Sequence, residues 1–406
     1  MRTLRDASFT AYFAGGCVRD ELLGRTPDDY DVATDATPEK IAALFSRTSQ
    51  VGAHFGVQLV KFEHAAIEVA TFRSDGAYSD NRRPDSVTFT TPREDALRRD
   101  FTVNALFLDP FGVPNAPNAG GAVIDFVNGL DDLAAKTIRA VGNPDARLAE
   151  DHLRALRAVR FAARLGFTIE PNTALAIRRH ASQLLGVSRE RIGEEVRRMA
   201  AHPSRAAAAA CMDMLALTRP ALLLDSPASP TCKHLLALSP DAPLELALAA
   251  WALDLGADVS VQGSALLTST WRSALCLSND EMAALRWIFT HIAAMESDYL
   301  TRSIAQQKRL AAKPCFLHAL DLVAARHPDR AAHVQFRADE LAATPGGVSP
   351  HPFITGDDLV ARGLKPGPKF KPLLDSVYDA QLEGRITDAA QAMDLATQLI
   401  EDPTAF

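Results

Sequence analysis

The sequence predicts an α+β protein, with a mixed β-sheet portion first and helices after it. Three observations carry this. Up to about residue 141, short apolar runs with strand-like alternation are interleaved with helix starts, and beyond that point the strand signal fades. From about 205 to 343 the chain is rich in alanine and leucine, both strong helix formers. Thr344-Pro345-Gly346-Gly347, followed by Pro350 and Pro352, then reads as a linker before a last segment. At 406 residues the chain exceeds one ordinary core, so several domains are expected.

Element by element, Gly16 to Leu23 reads as a short helix after a strand, and Tyr30 to Ala33 as the next strand. Thr37-Pro38 starts a helix, with Thr37 as N-cap and Pro38 at the first helical position. Val57–Phe62 and Ala66–Phe72 form a hairpin around Glu63-His64-Ala65. Asp75–Asp85 is polar, with Gly76, Asn81 and Pro84, and reads as a mobile loop. Val123–Phe126 and Thr137–Val141 give late strands either side of a short helix. Asn143-Pro144-Asp145 caps a long helix to about Arg164, stopped near Gly166. Asn172–Leu185 and Arg189–Ala201 supply two more, the last ended by Pro203.

Composition narrows the function classes. The chain is 47% hydrophobic and 23% charged, with a formal net charge of −7. That balance argues against coating nucleic acid non-specifically, yet allows a local basic face. Cys17, Cys211, Cys232, Cys276 and Cys315 are scattered, without CxxC or a His/Cys cluster. They read as reduced thiols in a cytoplasmic protein, with no zinc site. The first twenty residues lack an apolar core, so no signal peptide is expected. Nor does any run of eighteen uninterrupted apolar residues suggest a membrane span.

The chemistry concentrates in five segments. Ala14-Gly15-Gly16-Cys17-Val18-Arg19-Asp20 is followed by Asp29-Tyr30-Asp31. Two glycines let the backbone approach a phosphate, and alternate residues of a strand point the same way, so Asp29 and Asp31 can meet one cation. A tight turn plus an acidic loop would look the same. Glu68, within Ile67–Arg73, could add a third carboxylate, or could be a surface strand residue. In Arg98-Arg99-Asp100-Phe101-Thr102-Val103-Asn104-Ala105, arginine offers planar donors for triphosphate oxygens, and Asp100 or Asn104 could hold a ribose hydroxyl. A capped helix start with solvated arginines is the alternative. Arg178-Arg179, Arg189, Arg191 and Arg197-Arg198 form a basic cluster that suits either solvent or an RNA backbone.

The fifth segment is Glu150-Asp151-His152-Leu153-Arg154, continuing to Arg157 and Arg160. On a helix, Asp151 and Arg154 would be neighbours on one face. They form either an ordinary ion pair or a reader of a base edge. Cytosine and adenine each present an amino donor beside a ring-nitrogen acceptor, which Asp-then-Arg satisfies. Uracil and guanine present the reverse. Each buried polar group left unpaired costs about 1–3 kcal/mol, so two mispairings would reject the wrong base by about 10²–10⁴.

In this order and spacing, the segments resemble the class II CCA-adding tRNA nucleotidyltransferases and the related bacterial poly(A) polymerases. The family's GGxVRD corresponds to Gly15–Asp20, DxD to Asp29–Asp31, RRDxxxNA to Arg98–Ala105 and EDxxR to Glu150–Arg154; an RxxxE-type helix is similar to Arg191–Arg197. The resemblance implies a nucleotidyltransferase head (1–141), a helical neck holding a protein template (142–204), a helical body (205–345) and a helical tail that binds tRNA (346–406). It implies that Asp29 and Asp31 bind Mg²⁺ with Glu68 as a third acid. Gly15, Gly16, Arg19 and Arg99 would hold the nucleotide, with Asp100 and Asn104, and Asp151, Arg154, Arg157 and Arg160 would line the base pocket. Because steps of three drift about 60° round a helix, Arg160 lies far from Asp151 and suits phosphate or RNA instead.

The implied substrates are CTP, ATP and the tRNA 3′ end, with no membrane partner. Relatives that polyadenylate carry a basic G-R-[RK]-F-R-L-[AV]-H segment; here Gly52-Ala53-His54-Phe55-Gly56-Val57 lacks its basic residues, which favours tRNA. A full loop at Ser74–Pro84 favours complete CCA addition over CC-only, with A-only open. The alternatives are a poly(A) polymerase on the same scaffold and an RNA-binding protein without catalysis.

Overall fold

The structure is a computed structural model that describes residues 1–50, 56–76, 84–224, 232–258, 260–363, 367 and 369–401. The chain divides into two compact units, Met1–Ser229 with Ser273–Cys276, and Pro230–Arg272 with Leu277–Phe406.

The first unit opens with α1 (Arg2–Asp6), β1 (Ala11–Ala14), α2 (Gly16–Leu22), β2 (Val32–Thr34), α3 (Pro38–Leu44), β3 (Thr48–Gln50), β4 (Val57–Lys61) and β5 (Ala66–Thr71). It continues with β6 (Arg73–Asp75), β7 (Val87–Phe89), α4 (Pro92–Leu97), β8 (Phe107–Asp109), β9 (Ala122–Ile124), α5 (Gly129–Ala134) and β10 (Thr137–Ile138). Seven strands form one sheet in the order β3-β4-β5-β2-β1-β8-β9. β2 and β5 run parallel while the other neighbours are antiparallel. The expected hairpin is β4–β5, and α2 and α3 start where their glycine pair and Thr37-Pro38 place them.

Alternation along the strands builds two cores. Leu4, Ala11, Val32, Ile41, Val60 and Val69 fill one face, under α1 and α3. Ala14, Ala33, Phe72, Ala96, Phe107 and Val141 fill another cluster, with Phe72 and Phe107 edge to face.

Helices follow: α6 (Pro144–Glu150), α7 (Arg154–Leu165), α8 (Pro171–His180), α9 (Arg189–Ala200), α10 (Arg205–Met214) and α11 (Thr218–Leu222), with β11 (Thr168–Ile169) between α7 and α8. The structure corrects two expectations here. The helix predicted from Asn143 to Arg164 is two helices, because Asp151 is extended (φ −154°, ψ 104°) and its carboxylate accepts the Leu153 N–H. Such side-chain bonding to nearby backbone competes with helix continuation. The strand at Thr137 is only two residues long, pairing in parallel with β11, a strand too short to be read from alternation. Gly166 does end α7, at φ +71°.

The second unit is helical: α12 (Lys233–Ala237), α13 (Leu244–Asp254), α14 (Val261–Leu275, whose end from Ser273 belongs to the first unit), α15 (Asn279–Ser297), α16 (Ile304–Ala311), α17 (Phe316–Arg326), α18 (Pro328–Ala342), α19 (Gly356–Ala361), α20 (Phe370–Leu382) and α21 (Ala389–Glu401). The last three close on a core of their own, with Leu359, Leu373, Val377, Ala380, Ala392 and Ala396 at its centre. No helix among the described residues is long and apolar enough to cross a membrane.

Candidate active site

The sheet register sets the acids. Val32 pairs with Val69 across the parallel β2–β5 contact, and both face the core. One residue earlier on each strand stand Asp31 and Glu68, on the opposite face. Asp31 precedes the hydrogen-bonded strand, yet its carbonyl accepts the Ala14 N–H at 3.0 Å, so the extended path reaches it. Tyr30 turns away onto the Phe13 ring, with centroids 5.2 Å apart. Asp29, Asp31 and Glu68 therefore line one cleft of about 740 Å³. Burial of the Asp31 carboxyl, and then the charges of Asp29 and Glu68, push its pKa up to about 6.

Beside the acids, Gly15 has φ +77° and ψ −124°, a conformation that suits only glycine. A Cβ there would sit 2.8 Å from Arg99 Nη1. Arg99 Nη1 donates to the Asn104 carbonyl, and its Nε and Nη2 donate to Asp95 Oδ2. Arg98 grips the other oxygen of Asp95. Burial works against the Asp95 charge, but Arg99 and Arg98 hold its carboxyl below the usual range. Arg19 is buried, donating to both oxygens of Asp20 and, at 2.5 Å, to Asn104 Oδ1. The two glycines and two arginines thus present a bare backbone and fixed charge at one wall.

The far wall comes from the break between α6 and α7. Asp151 and Arg154 both line the cleft but do not bond to each other through their side chains. Arg191 of α9 donates to both Asp151 oxygens, at 3.2 and 2.6 Å. Arg154 Nη1 donates to the Arg147 carbonyl and to Glu150. Its Nε and Nη2 carry no hydrogen bond among the described residues, and Asp151 Oδ2 accepts only one. An acceptor and a donor therefore remain for a ligand.

Deeper in, Asp100 Oδ2 accepts from Arg157 Nε and Nη2 at 2.9 and 2.7 Å, and Oδ1 accepts from Phe101 N and Asn104 Nδ2. Although burial opposes it, Arg157 keeps the Asp100 carboxyl below its usual range. With four donors already on it, Asp100 organises the wall rather than offering free oxygens to a ribose. Arg160 is buried, its Nε 2.6 Å from Glu195 Oε2, and its guanidinium lies over the Phe161 ring. Arg157 and Arg19 rest on the same ring.

The thirteen residues to which the resemblance gives catalytic or nucleotide-binding roles all line this cleft, with Arg98, Phe161 and Arg198, whereas of the basic cluster Arg178-Arg179, Arg189, Arg191 and Arg197-Arg198 only Arg198 does. The sequence reading missed Asp95 as the anchor of Arg98 and Arg99, although its i, i+3 and i, i+4 spacing from them is the available signal. It also missed Glu195 and Arg191 as the partners of Arg160 and Asp151, which only the packing of α9 on α7 brings near. The Gly52–Val57 segment and the Ser74–Pro84 loop lie largely outside the described residues.

No group of three or more His, Cys, Asp or Glu side chains among the described residues is placed to hold a metal ion. Asp29 and Asp31 nonetheless fit a magnesium-like cation, which takes one or two carboxylates and completes its shell with water and phosphate. Asp31 resists ionisation first because it is buried and then because Asp29 and Glu68 crowd it, and a bound cation would relieve the second cause.

Residues 11–139 match the family model described as the poly A polymerase head domain, and residues 166–218 that of a probable RNA and SrmB-binding site of polymerase A. The CCA-adding enzyme of Enterococcus faecalis is 46% identical over 200 residues. That alignment takes in 49% of this chain and 47% of the relative, so the chain spans about half the length of such relatives. The CCA-adding enzyme of Lacticaseibacillus paracasei is 31% identical over 404 residues, covering 99% of this chain and 96% of that one. Among solved structures, the Bacillus stearothermophilus CCA-adding enzyme in complex with CTP superposes with a TM-score of 0.77 at 28% identity, over 98% of this chain and 96% of that one. The Thermotoga maritima CCA-adding enzyme complexed with tRNA shares the fold at a TM-score of 0.66 and 17% identity, over 98% of this chain and 93% of that one. With its acid-lined cleft, its broken α6–α7 wall and a relative aligned from end to end, the chain belongs to the family of CCA-adding enzymes.

Proposed function

We propose that this chain adds C, C and A to the 3′ end of tRNA from CTP and ATP, releasing pyrophosphate. One observation supports this most: Asp29 and Asp31 share a single cleft with the Asp151 and Arg154 pair that can read a donor–acceptor base edge. Gly15, Gly16, Arg19 and Arg99 hold the triphosphate by close backbone approach and planar donors. Asp151 Oδ2 takes the amino hydrogen of cytosine or adenine, while Arg154 donates to the adjacent ring nitrogen. Arg191 keeps the Asp151 carboxylate aimed, and Arg157 and Arg160 keep the pocket cationic. Asn104, bonded to Arg19 and Asp100, ties the triphosphate wall to the base wall.

Members of this family generally need a divalent metal. In this chain Asp29 and Asp31, with Glu68 beside them, would hold Mg²⁺, which would supply charge neutralisation for in-line attack by the RNA 3′ hydroxyl. The remaining catalysis is positioning. The four-part division into head, neck, body and tail, with helical parts gripping tRNA, is part of the same reading, as is a cytoplasmic location.

Incubation with tRNA lacking its CCA end and each labelled nucleotide tests it. CTP is incorporated first and ATP after it; UTP or GTP incorporated as readily as CTP would overturn the template. Because the head model takes its description from poly A polymerase, that activity is the second reading. Long A-tails on unstructured RNA, without preference for tRNA, would establish it.

A further inference from the structure

Arg147, on α6, does not line the cleft, yet it bonds to residues of both its walls. Nη2 donates to the Leu97 carbonyl at 2.7 Å, and Nη1 to the Arg98 carbonyl at 3.1 Å. Both carbonyls stand at the end of α4, where a helix leaves its last acceptors unpaired. The Arg98 carbonyl belongs to the peptide that carries Arg99, on the triphosphate wall. Nε donates to the Val141 carbonyl at 3.3 Å, and the Val141 N–H in turn donates to the Asp100 carbonyl. One planar fork thus fixes three carbonyls from two distant segments.

The same residue reaches the base wall. Nη1 also donates to Glu150 Oε2 at 2.9 Å, and that oxygen accepts from Arg154 Nη1 as well. In addition, Arg154 Nη1 donates to the Arg147 carbonyl at 2.7 Å. In a continuous helix that carbonyl would serve the N–H four residues on. With α6 ended at Glu150, it accepts from the Arg154 side chain. Arg154 is therefore anchored through one nitrogen by Arg147 and Glu150, which leaves its outer edge directed at a base.

We propose that Arg147 is a positioning residue that couples the two walls, holding the Arg98–Arg99 backbone on one side and aiming Arg154 on the other. This rests on the polymerising function proposed above. Reading a base serves the reaction only when the α-phosphorus of the same nucleotide lies in register with the acids, and a stiff link between the two walls sets that register. Lysine cannot replace it, because a single ammonium lacks the spread of a guanidinium fork.

The test uses the full chain with Mg²⁺, tRNA lacking CCA, and Arg147→Lys, Glu150→Gln and Arg154→Ala, together with the double variant of Arg147→Lys and Arg154→Ala. Two quantities are read. One is the preference for CTP over UTP in kcat/KM; the other is competitive inhibition by inorganic tripolyphosphate, which meets the triphosphate wall without a base. Arg147→Lys should lower the preference about tenfold and weaken the inhibition by a similar factor, as misplaced groups do. Glu150→Gln should lower the preference alone, because it cuts only the link to Arg154. Added to Arg154→Ala, Arg147→Lys should change the preference by less than about twofold, since the residue it acts through is gone, while still weakening inhibition.

A change in only one of the two quantities for Arg147→Lys would overturn the coupling. So would an equal loss of preference with and without Arg154, or lowered stability with both quantities as in wild type. Should Arg147→Lys fail to fold, Glu150→Gln decides, and an unchanged preference there overturns the proposal. A wild type that takes UTP as readily as CTP sinks the polymerising template itself, whereas a selective wild type with an equally selective Arg147→Lys sinks only the coupling.

Discussion

A carboxyl group that is buried and crowded by two others gives up its proton late. Asp31 has a folded-state value of about 6 against an ordinary 3.8, so the folded protein retains a proton that the unfolded chain releases across that window. Its contribution to stability therefore falls as pH rises from about 4 to about 6. Carboxyl NMR titration should place the Asp31 midpoint near 6, and Glu68→Gln or Asp29→Asn should each lower it. Added Mg²⁺ should lower it further, because the cation binds the ionised form. Arg191 makes a second prediction. Arg191→Ala leaves the Asp151 carboxylate untethered, with kcat/KM for CTP falling about tenfold to a hundredfold, as a misplaced group costs. Steady-state incorporation should also show a smaller preference for CTP over UTP, and Arg191→Lys should restore part of both.

At the scale of elements, two local devices shape the cleft. Helix α4 buries Asp95 so that its carboxylate holds Arg98 and Arg99 from below. Asp95→Asn removes that charge and should destabilise the protein by about 2–3 kcal/mol in urea unfolding, with KM for CTP raised. The turn at Gly15 is the second device. Gly15→Ala forces a side chain into a backbone region that strains it and toward Arg99, costing about 1–3 kcal/mol, read from the same unfolding midpoint. Elements were unevenly legible. Thr37-Pro38, the β4–β5 hairpin and Gly166 carry local signals, and the structure follows them. The α6–α7 break was not legible. Residues 143–165 have unbroken helical character, and the interruption depends on Asp151 turning its carboxylate to Leu153 and Arg191.

Across the whole molecule, the site belongs to the first unit and the α19–α21 core to the second. Leu373 is 2% exposed at that core. Leu373→Ala should cost it about 2–5 kcal/mol. Hydrogen exchange should speed up in α19–α21 while CTP binding in the first unit stays as in wild type.

The sequence by itself supplied the residue types and local spacings of the thirteen, such as a glycine pair, alternate acids and paired arginines, and its resemblance to a family, not any one spacing, gathered them into one site. What only the tertiary structure decided is how those groups are engaged. Asp100 faces Arg157, Asp151 faces Arg191 and Arg160 faces Glu195 across 57, 40 and 35 residues. Guanidinium and carboxylate groups are interchangeable as letters, and which pair forms follows from how distant segments pack, as α9 does on α7, a non-local balance of burial that no single segment contains.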